Sequence, residues 1–132
     1  GAAYYNVYQT IDGRHIVVGA VEPKFWQAFC QAAGKERWIA RQNEPIPQHP
    51  LISDVATRIG EFTLAQCETR FAQGDCCVST VLPLDEALEA ARTRERGLVT
   101  RGDNGLQALF PALVNGRPPS ARPPLKPFTQ TI

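Results

Sequence analysis

Residues 4–26, YYNVYQTIDGRHIVVGAVEPKFW, decide the fold. Residues 4–10 are rich in aromatic and β-favouring side chains, and residues 14–21 in β-branched ones. Between the two runs stands Ile11-Asp12-Gly13, and Asp-Gly is the strongest short hairpin signal a sequence offers. The stretch therefore predicts an antiparallel hairpin. Its second strand ends at Gly19-Ala20-Val21-Glu22-Pro23, where the proline suits the first turn of a helix because its missing N–H is not needed there. Apolar residues at 25, 26, 29, 30 and 33 keep helical spacing, and Gly34 is a natural stop. A carboxylate, Glu22, thus sits at the joint between strand and helix. Beside a helix N-terminus it is favoured by the dipole; the other reading makes it an acid group that a site requires at the end of a strand.

Downstream, NEPIPQHP at 43–50 reads as a loop that includes His49, and a second helix covers 51–59. Thr63 caps a third helix whose buried stripe is Leu64, Cys67 and Phe71, and Gly74 ends it. DCCVSTVL at 75–82 reads as a strand. Pro83-Leu84-Asp85-Glu86 starts a helix with acids in its first turn, running to about Ala91. A short strand follows at 97–101. From Gly102 onward the pattern dissolves, and six of the eleven prolines lie between Pro111 and Pro127. Such a segment cannot pair inside a sheet and is expected to wrap over another surface as extended chain. The class is α+β: a β-hairpin, then helices and two further short strands, then an extended proline-rich C-terminal tail. The expected boundaries are a small domain over 1–104 and the tail over 105–132.

The chain of 132 residues is long enough for one domain with a real core, and 43% of it is apolar. A formal net charge of +1 gives no global field for nucleic acid or for an anionic membrane. No apolar run approaches the roughly 18–20 residues that span a bilayer. The four cysteines, at 30, 67, 76 and 77, form no CxxC pair. Cys30 and Cys67 share helical stripes with large apolar residues, so they read as small hydrophobes in the core. Reduced thiols point to a cytoplasmic protein. The absence of any methionine and the Gly-Ala-Ala opening suggest a piece of something longer.

Searches for self-contained sites find no P-loop, GxGxxG, HExxH, GxSxG or paired Cys/His metal spacing, so no metal is expected. His15 in a strand and His49 in the proline loop have no partner at a defensible spacing and read as structural. Arg92, Arg94, Arg96 and Arg101 form a basic cluster that reads either as cations offsetting a helix dipole or as a phosphate contact.

The opening stretch also resembles the small-domain opening of class III CoA-transferases, the CaiB/BaiF family that includes the α-methylacyl-CoA racemases. That pattern runs approximately Y-x-x-Y, then DGR, an apolar strand and GA-x-E-x-x-F-[WY]. Here it is met by Tyr5 and Tyr8, Asp12-Gly13-Arg14, Gly19-Ala20, Glu22-Pro23 and Phe25-Trp26. DCCVSTVLPLDEAL at 75–88 resembles a second family stretch, D-A-C-V-A-P-V-x-x-x-x-E-A, and Arg94-Glu95-Arg96-Gly97-Leu98 a third. Thr80 stands where the family usually has proline, and Cys67 where tryptophan is common.

The resemblance implies a coenzyme A thioester as substrate and an active site between a small domain and a large one that is missing here. The small domain would close over the acyl end, and two protomers would interlock as a homodimer. The catalytic groups of the large domain would lie before residue 1, so the isolated chain is expected to be inactive. Carried over by motif position, Glu22 is the catalytic-site carboxylate that hydrogen-bonds a catalytic histidine, while Tyr5 and Val21 are substrate-binding walls of the acyl pocket. The racemase branch is the closer resemblance. Transfer of CoA between carboxylic acids through an aspartyl-CoA thioester is the alternative, and a non-catalytic folded module is a third. No nucleic acid or membrane partner is implied.

Overall fold

The expected hairpin forms. β1 (Tyr5–Gln9) and β2 (His15–Gly19) pair antiparallel, with Tyr5 opposite Gly19 and Gln9 opposite His15. The connection closes through Thr10 N–H donating to Arg14 O at 2.9 Å and Gly13 N–H donating to Thr10 O at 3.0 Å. Gly13 adopts φ 75°, a left-handed conformation that a side chain would strain. This computed structural model describes residues 1–102, 105–117, 120, 121 and 123. Its chain divides into two units, Gly1–Val81 and Leu82–Ile132.

In the first unit, α1 (Pro23–Ala33) begins with its proline in the first turn. It ends in a Schellman-type cap, with Gly34 at φ 68° and the Gly34 and Lys35 N–H groups donating to Gln31 O and Cys30 O. A 3-10 helix over Glu36–Arg41 follows and carries Trp38 into the core. α2 spans His49–Ile59 and α3 spans Leu64–Phe71. Thr63 caps α3 as expected, in a full capping box with Gln66. The Asp12 carboxylate of the hairpin turn accepts from Leu64 N–H at 3.1 and 3.2 Å and from the Thr10 hydroxyl. The tip of the hairpin is thereby fastened to the start of α3. β3 (Val78–Val81) then pairs antiparallel with β2, giving the sheet order β1-β2-β3.

Strand alternation sends Tyr8, Ile16 and Val18 inward, where they are buried. They join a cluster with Trp26, Phe29 and Cys30 of α1, Leu51, Val55 and Ile59 of α2, and Cys67 and Phe71 of α3. The aromatic rings stack: Trp26 on Phe29 and Phe29 on Phe71, each with centroids 5.3 Å apart. Full burial of one such side chain contributes about 1.5–3 kcal/mol. The buried Cys30 and Cys67 are free thiols held by packing, as expected.

Three sequence expectations shift. α2 starts two residues earlier than the apolar pattern suggested, because Pro50 occupies the first turn as Pro23 does in α1; His49 therefore belongs to the helix and not to a proline loop. β3 starts at Val78, not Asp75, because Cys76 N–H donates to Gly74 O at 2.8 Å and Cys77 is left-handed at φ 48°. The residues before β3 are a turn that leaves Cys76 buried and Cys77 exposed. In the second unit, the extended backbone of Ala90 (ψ 138°) breaks the anticipated helix into α4 (Leu84–Glu89) and α5 (Ala91–Glu95).

β4 (Val99–Gly102) is the short strand expected at 97–101, and it pairs antiparallel with β5 (Gly105–Ala108), which lies where the pattern was expected to dissolve. β5 buries no side chain, so it carries no alternation to read. The first part of the expected tail, residues 105–117, holds β5 and an isolated antiparallel bridge between Val114 and Arg117, and the extended course expected from residue 118 onward falls mostly on residues outside those described. No helix among the described residues is long and apolar enough to cross a membrane.

Candidate active site

The fold brings Tyr5, Val21 and Glu22 to one end of the three-stranded sheet. Tyr5 opens β1 directly across from Gly19, which closes β2. Immediately after Gly19 the chain turns back on itself: Val21 N–H donates to Gly19 O at 3.0 Å across the buried Ala20. Glu22 then takes the N-cap position of α1, and its backbone carbonyl accepts from Phe25 and Trp26 N–H at 3.0 and 3.1 Å. Its side chain makes no capping hydrogen bond and stands exposed. Tyr5 is 69% exposed and Val21 50%.

A buried amide network supplies the tightness, and the sequence reading missed it. Gln42 is almost wholly buried, and its Nε2 donates to Val21 O at 2.8 Å. Gln48, also buried, donates from Nε2 to Gln42 O at 2.8 Å and to Glu44 O at 2.9 Å, and its Oε1 accepts from Ala3 N–H at 3.0 Å. One glutamine thus fastens the backbone beside Glu22, and the other joins that loop to the residues leading into Tyr5. Each such bond contributes about 1 kcal/mol net, and orphaning a buried partner costs about 1–3. Both residues sit on irregular chain with partners distant in sequence, so no local signal reveals them.

Cys77 is the third residue not foreseen here. Its carbonyl accepts from Gly19 N–H at 2.8 Å, which places it on the far side of β2 from Tyr5. Slight desolvation first, and then the charges of Asp75 and Glu22, push its exposed thiol above the ordinary range. The buried thiols move further the same way, Cys30 to about 12 and Cys67 to about 11, chiefly through desolvation.

The two histidines stand apart from this end of the sheet. His15 lies four residues along β2, about 13 Å at the usual strand rise, opposite Gln9 and Val81. His49 is in the first turn of α2. Among the described residues no group of three or more His, Cys, Asp or Glu converges as a metal site would. Arg92 and Arg94 lie on α5, Arg96 caps it and Arg101 lies in β4. Arg94 makes only a loose, exposed ion pair with Glu89 at 3.9 Å.

Comparison with known proteins shows the family. The sequence model of CoA-transferase family III matches residues 1–126. The chain is 30% identical over 127 residues to mouse (Mus musculus) alpha-methylacyl-CoA racemase, covering 91% of this chain and 32% of that protein. It is 31% identical over 98 residues to human (Homo sapiens) alpha-methylacyl-CoA racemase, covering 74% and 26%. Among solved structures it is similar to an orthorhombic form of Rv3272 from Mycobacterium tuberculosis, with TM-score 0.68 and 18% identity over 86% of this chain and 35% of that one. A mutant of Rv3272 gives TM-score 0.70 and 20% identity over 92% and 38%. The chain spans about a third of the length of these relatives. With its hairpin, its Glu22 joint and its C-terminal strands all inside the matched span, the chain belongs to CoA-transferase family III.

Proposed function

We propose that this chain is the small domain of an acyl-CoA-handling enzyme, most similar in activity to an α-methylacyl-CoA racemase. It supplies one wall and one carboxylate to an active site whose other groups stand in a large domain of the same polypeptide. The observation that carries this reading is the state of Glu22: backbone pinned on both sides, side chain exposed and free of any capping bond, beside the open Tyr5 and Val21. Racemisation removes the proton on the carbon next to the thioester carbonyl, moves the electron pair onto the carbonyl oxygen as an enolate, and returns a proton to the opposite face. An imidazole base doing this becomes imidazolium, and a fixed carboxylate accepting its second N–H holds the ring and stabilises that charge. Glu22 takes this role, and Tyr5 and Val21 line the acyl group. The racemase relatives favour this chemistry.

The family's name favours a second: transfer of CoA between carboxylic acids through an aspartyl-CoA thioester. A non-catalytic module is the third reading. In the full-length protein, the large domain and an interlocked second protomer cover the apolar residues that the second unit leaves open, among them Leu84, Phe110 and Leu113. The setting proposed is cytoplasmic, and the isolated chain is expected to be inactive.

Incubating full-length protein with a 2-methylacyl-CoA in D2O separates the readings. Deuterium at carbon 2 is the expected result; its absence, with a hydroxylamine-trapped aspartyl thioester, moves the assignment to the transferase. Absence of both leaves the module. In the exchanging enzyme, Glu22→Gln is expected to lower turnover at least about tenfold with the melting temperature unchanged. Wild-type turnover would return Glu22 to a dipole-favoured N-cap.

A further inference from the structure

Glu22 stands on a joint whose backbone is held at three atoms. Val21 N–H donates to Gly19 O at 3.0 Å, and Glu22 O accepts from Phe25 and Trp26 N–H at 3.0 and 3.1 Å. These contacts are local, made within four residues along the chain. The third is not: Val21 O accepts from the Gln42 side-chain Nε2 at 2.8 Å, across 21 positions of sequence. A peptide unit is planar. Fastening Val21 O therefore sets the direction in which the chain enters Glu22, while the first turn of α1 sets the direction in which it leaves. The two together aim the carboxylate.

Gln42 is itself anchored. It closes the 3-10 helix, which is docked on α1 by the Trp26 indole N–H donating to Trp38 O at 3.0 Å. Its backbone carbonyl accepts from Gln48 Nε2 at 2.8 Å, and the buried Gln48 is held in turn by Glu44 O and Ala3 N–H. The neighbour fixes the direction of the Gln42 amide: facing a carbonyl, it must present an N–H, which no carboxylate, thioether or aliphatic side chain can do. Gln42 is 8% exposed, so its amide has given up most of its hydration for that bond. An apolar side chain of the same length would fill the space without that cost. What the amide adds is a fixed joint.

We propose that Gln42 is a positioning residue for the candidate carboxylate: its amide, acting through Val21 O, holds Glu22 in the orientation that meets the imidazole of the large domain. This rests on the reading of Glu22 as the acceptor of that imidazole's second N–H. Gln42 touches neither substrate nor reacting atoms, and no covalent step involves it. Misplacing a catalytic group by about 1 Å costs up to about a hundredfold in rate. Binding of the CoA portion does not depend on the joint, so the effect falls on kcat and leaves KM.

Exchange of the α-proton of 2-methyldecanoyl-CoA in D2O, followed with full-length protein, tests this. Gln42→Met keeps the length of the side chain and removes the donor. Arg41→Gln breaks the ion pairs to Glu44 and Asp54, both at 2.6 Å, that hold the same loop, and leaves the bond to Val21. Gln42→Met is expected to lower kcat about tenfold with KM within about twofold, and Arg41→Gln to leave both within about twofold. Added to Glu22→Gln, Gln42→Met should cost nothing further, because both act through one carboxylate. Thermal melts accompany each variant. Gln42→Asn, whose amide falls one methylene short of Val21 O, takes the place of Gln42→Met if that protein melts below the assay temperature. Unchanged kcat in Gln42→Met, an equal loss in Arg41→Gln, or a double variant that loses the product of the two single effects would each overturn the proposal. A Glu22→Gln protein with wild-type kcat refutes the reading of Glu22, and the positioning role falls with it. A loss in Glu22→Gln beside an unchanged Gln42→Met refutes the positioning role alone.

Discussion

The two units bury their side chains very differently. Every buried residue among those described lies between Ala2 and Cys76, and none of the described residues of the second unit is buried. The second unit is not short of apolar groups: Leu84, Leu106, Phe110, Leu113 and Val114 are all substantially exposed. What differs is arrangement. In the first unit, alternation along β1 and β2 and the helical stripes of α1, α2 and α3 converge on one cluster. In the second, two helices of six and five residues and a hairpin of two four-residue strands have too few positions to enclose anything. Apolar content makes a core only where periodicity brings it to one side.

The sharpest way to break this contrast is a pair of truncations. Trp26→Ala removes a fully buried ring that stacks on Phe29 and donates from its indole N–H to Trp38 O at 3.0 Å. A loss of about 3–5 kcal/mol is expected, read from urea denaturation of the chain. Phe110→Ala, at a ring 67% exposed, is expected to change stability by less than about 0.5 kcal/mol. Comparable losses at both positions would mean that the second unit has a core of its own.

A smaller effect sharpens the contrast within the first unit, by asking what holds the open end of the sheet. Gln48→Leu keeps approximate volume but removes the acceptor of Ala3 N–H and the donor to Gln42 O and Glu44 O. The expected loss is about 2–3 kcal/mol in the same denaturation experiment, since backbone groups are left buried without partners. Amide hydrogen exchange should also quicken at Ala3. A neutral result would show that the network follows the packing instead of fixing it.

Local chemistry was legible. Asp12-Gly13 announced a turn, Pro23 a helix start, Gly34 a stop and Thr63 a cap, and each acts within a few residues of where it stands. Pro50 misled because a proline at a helix start and a proline in a loop look alike without the structure around them. Trp38, Gln42 and Gln48 were illegible for another reason. They lie on a 3-10 helix and a loop with no period, and their partners, such as Val21 and Ala3, are set by tertiary folding alone. The candidate site follows the same division. Its side chains are carried on strand ends that motif positions could mark, while the groups that hold those ends still were invisible.

The smallest expected effect concerns the other end of the hairpin, where a surface carboxylate joins turn to helix. Asp12 accepts from the Thr10 hydroxyl and from Leu64 N–H, and these bonds, the hydroxyl first, hold its carboxyl below the usual range. A carboxyl depressed in the folded state binds protons more readily once unfolded. Its contribution is therefore complete above the ordinary carboxyl pKa and fades as pH falls through the lower, folded value. The denaturation midpoint of the chain should drop more steeply on acidification than that of Asp12→Asn, with the difference confined to pH below about 4. Asn at this position accepts through a single neutral oxygen, so at neutral pH the variant should be slightly less stable, by an amount that salt screening of an exposed group keeps small. Parallel pH profiles for the two proteins would mean that the bonds from the Thr10 hydroxyl and Leu64 N–H do not persist in solution, and that α3 is positioned by Cys67 and Phe71 in the core without help from the turn.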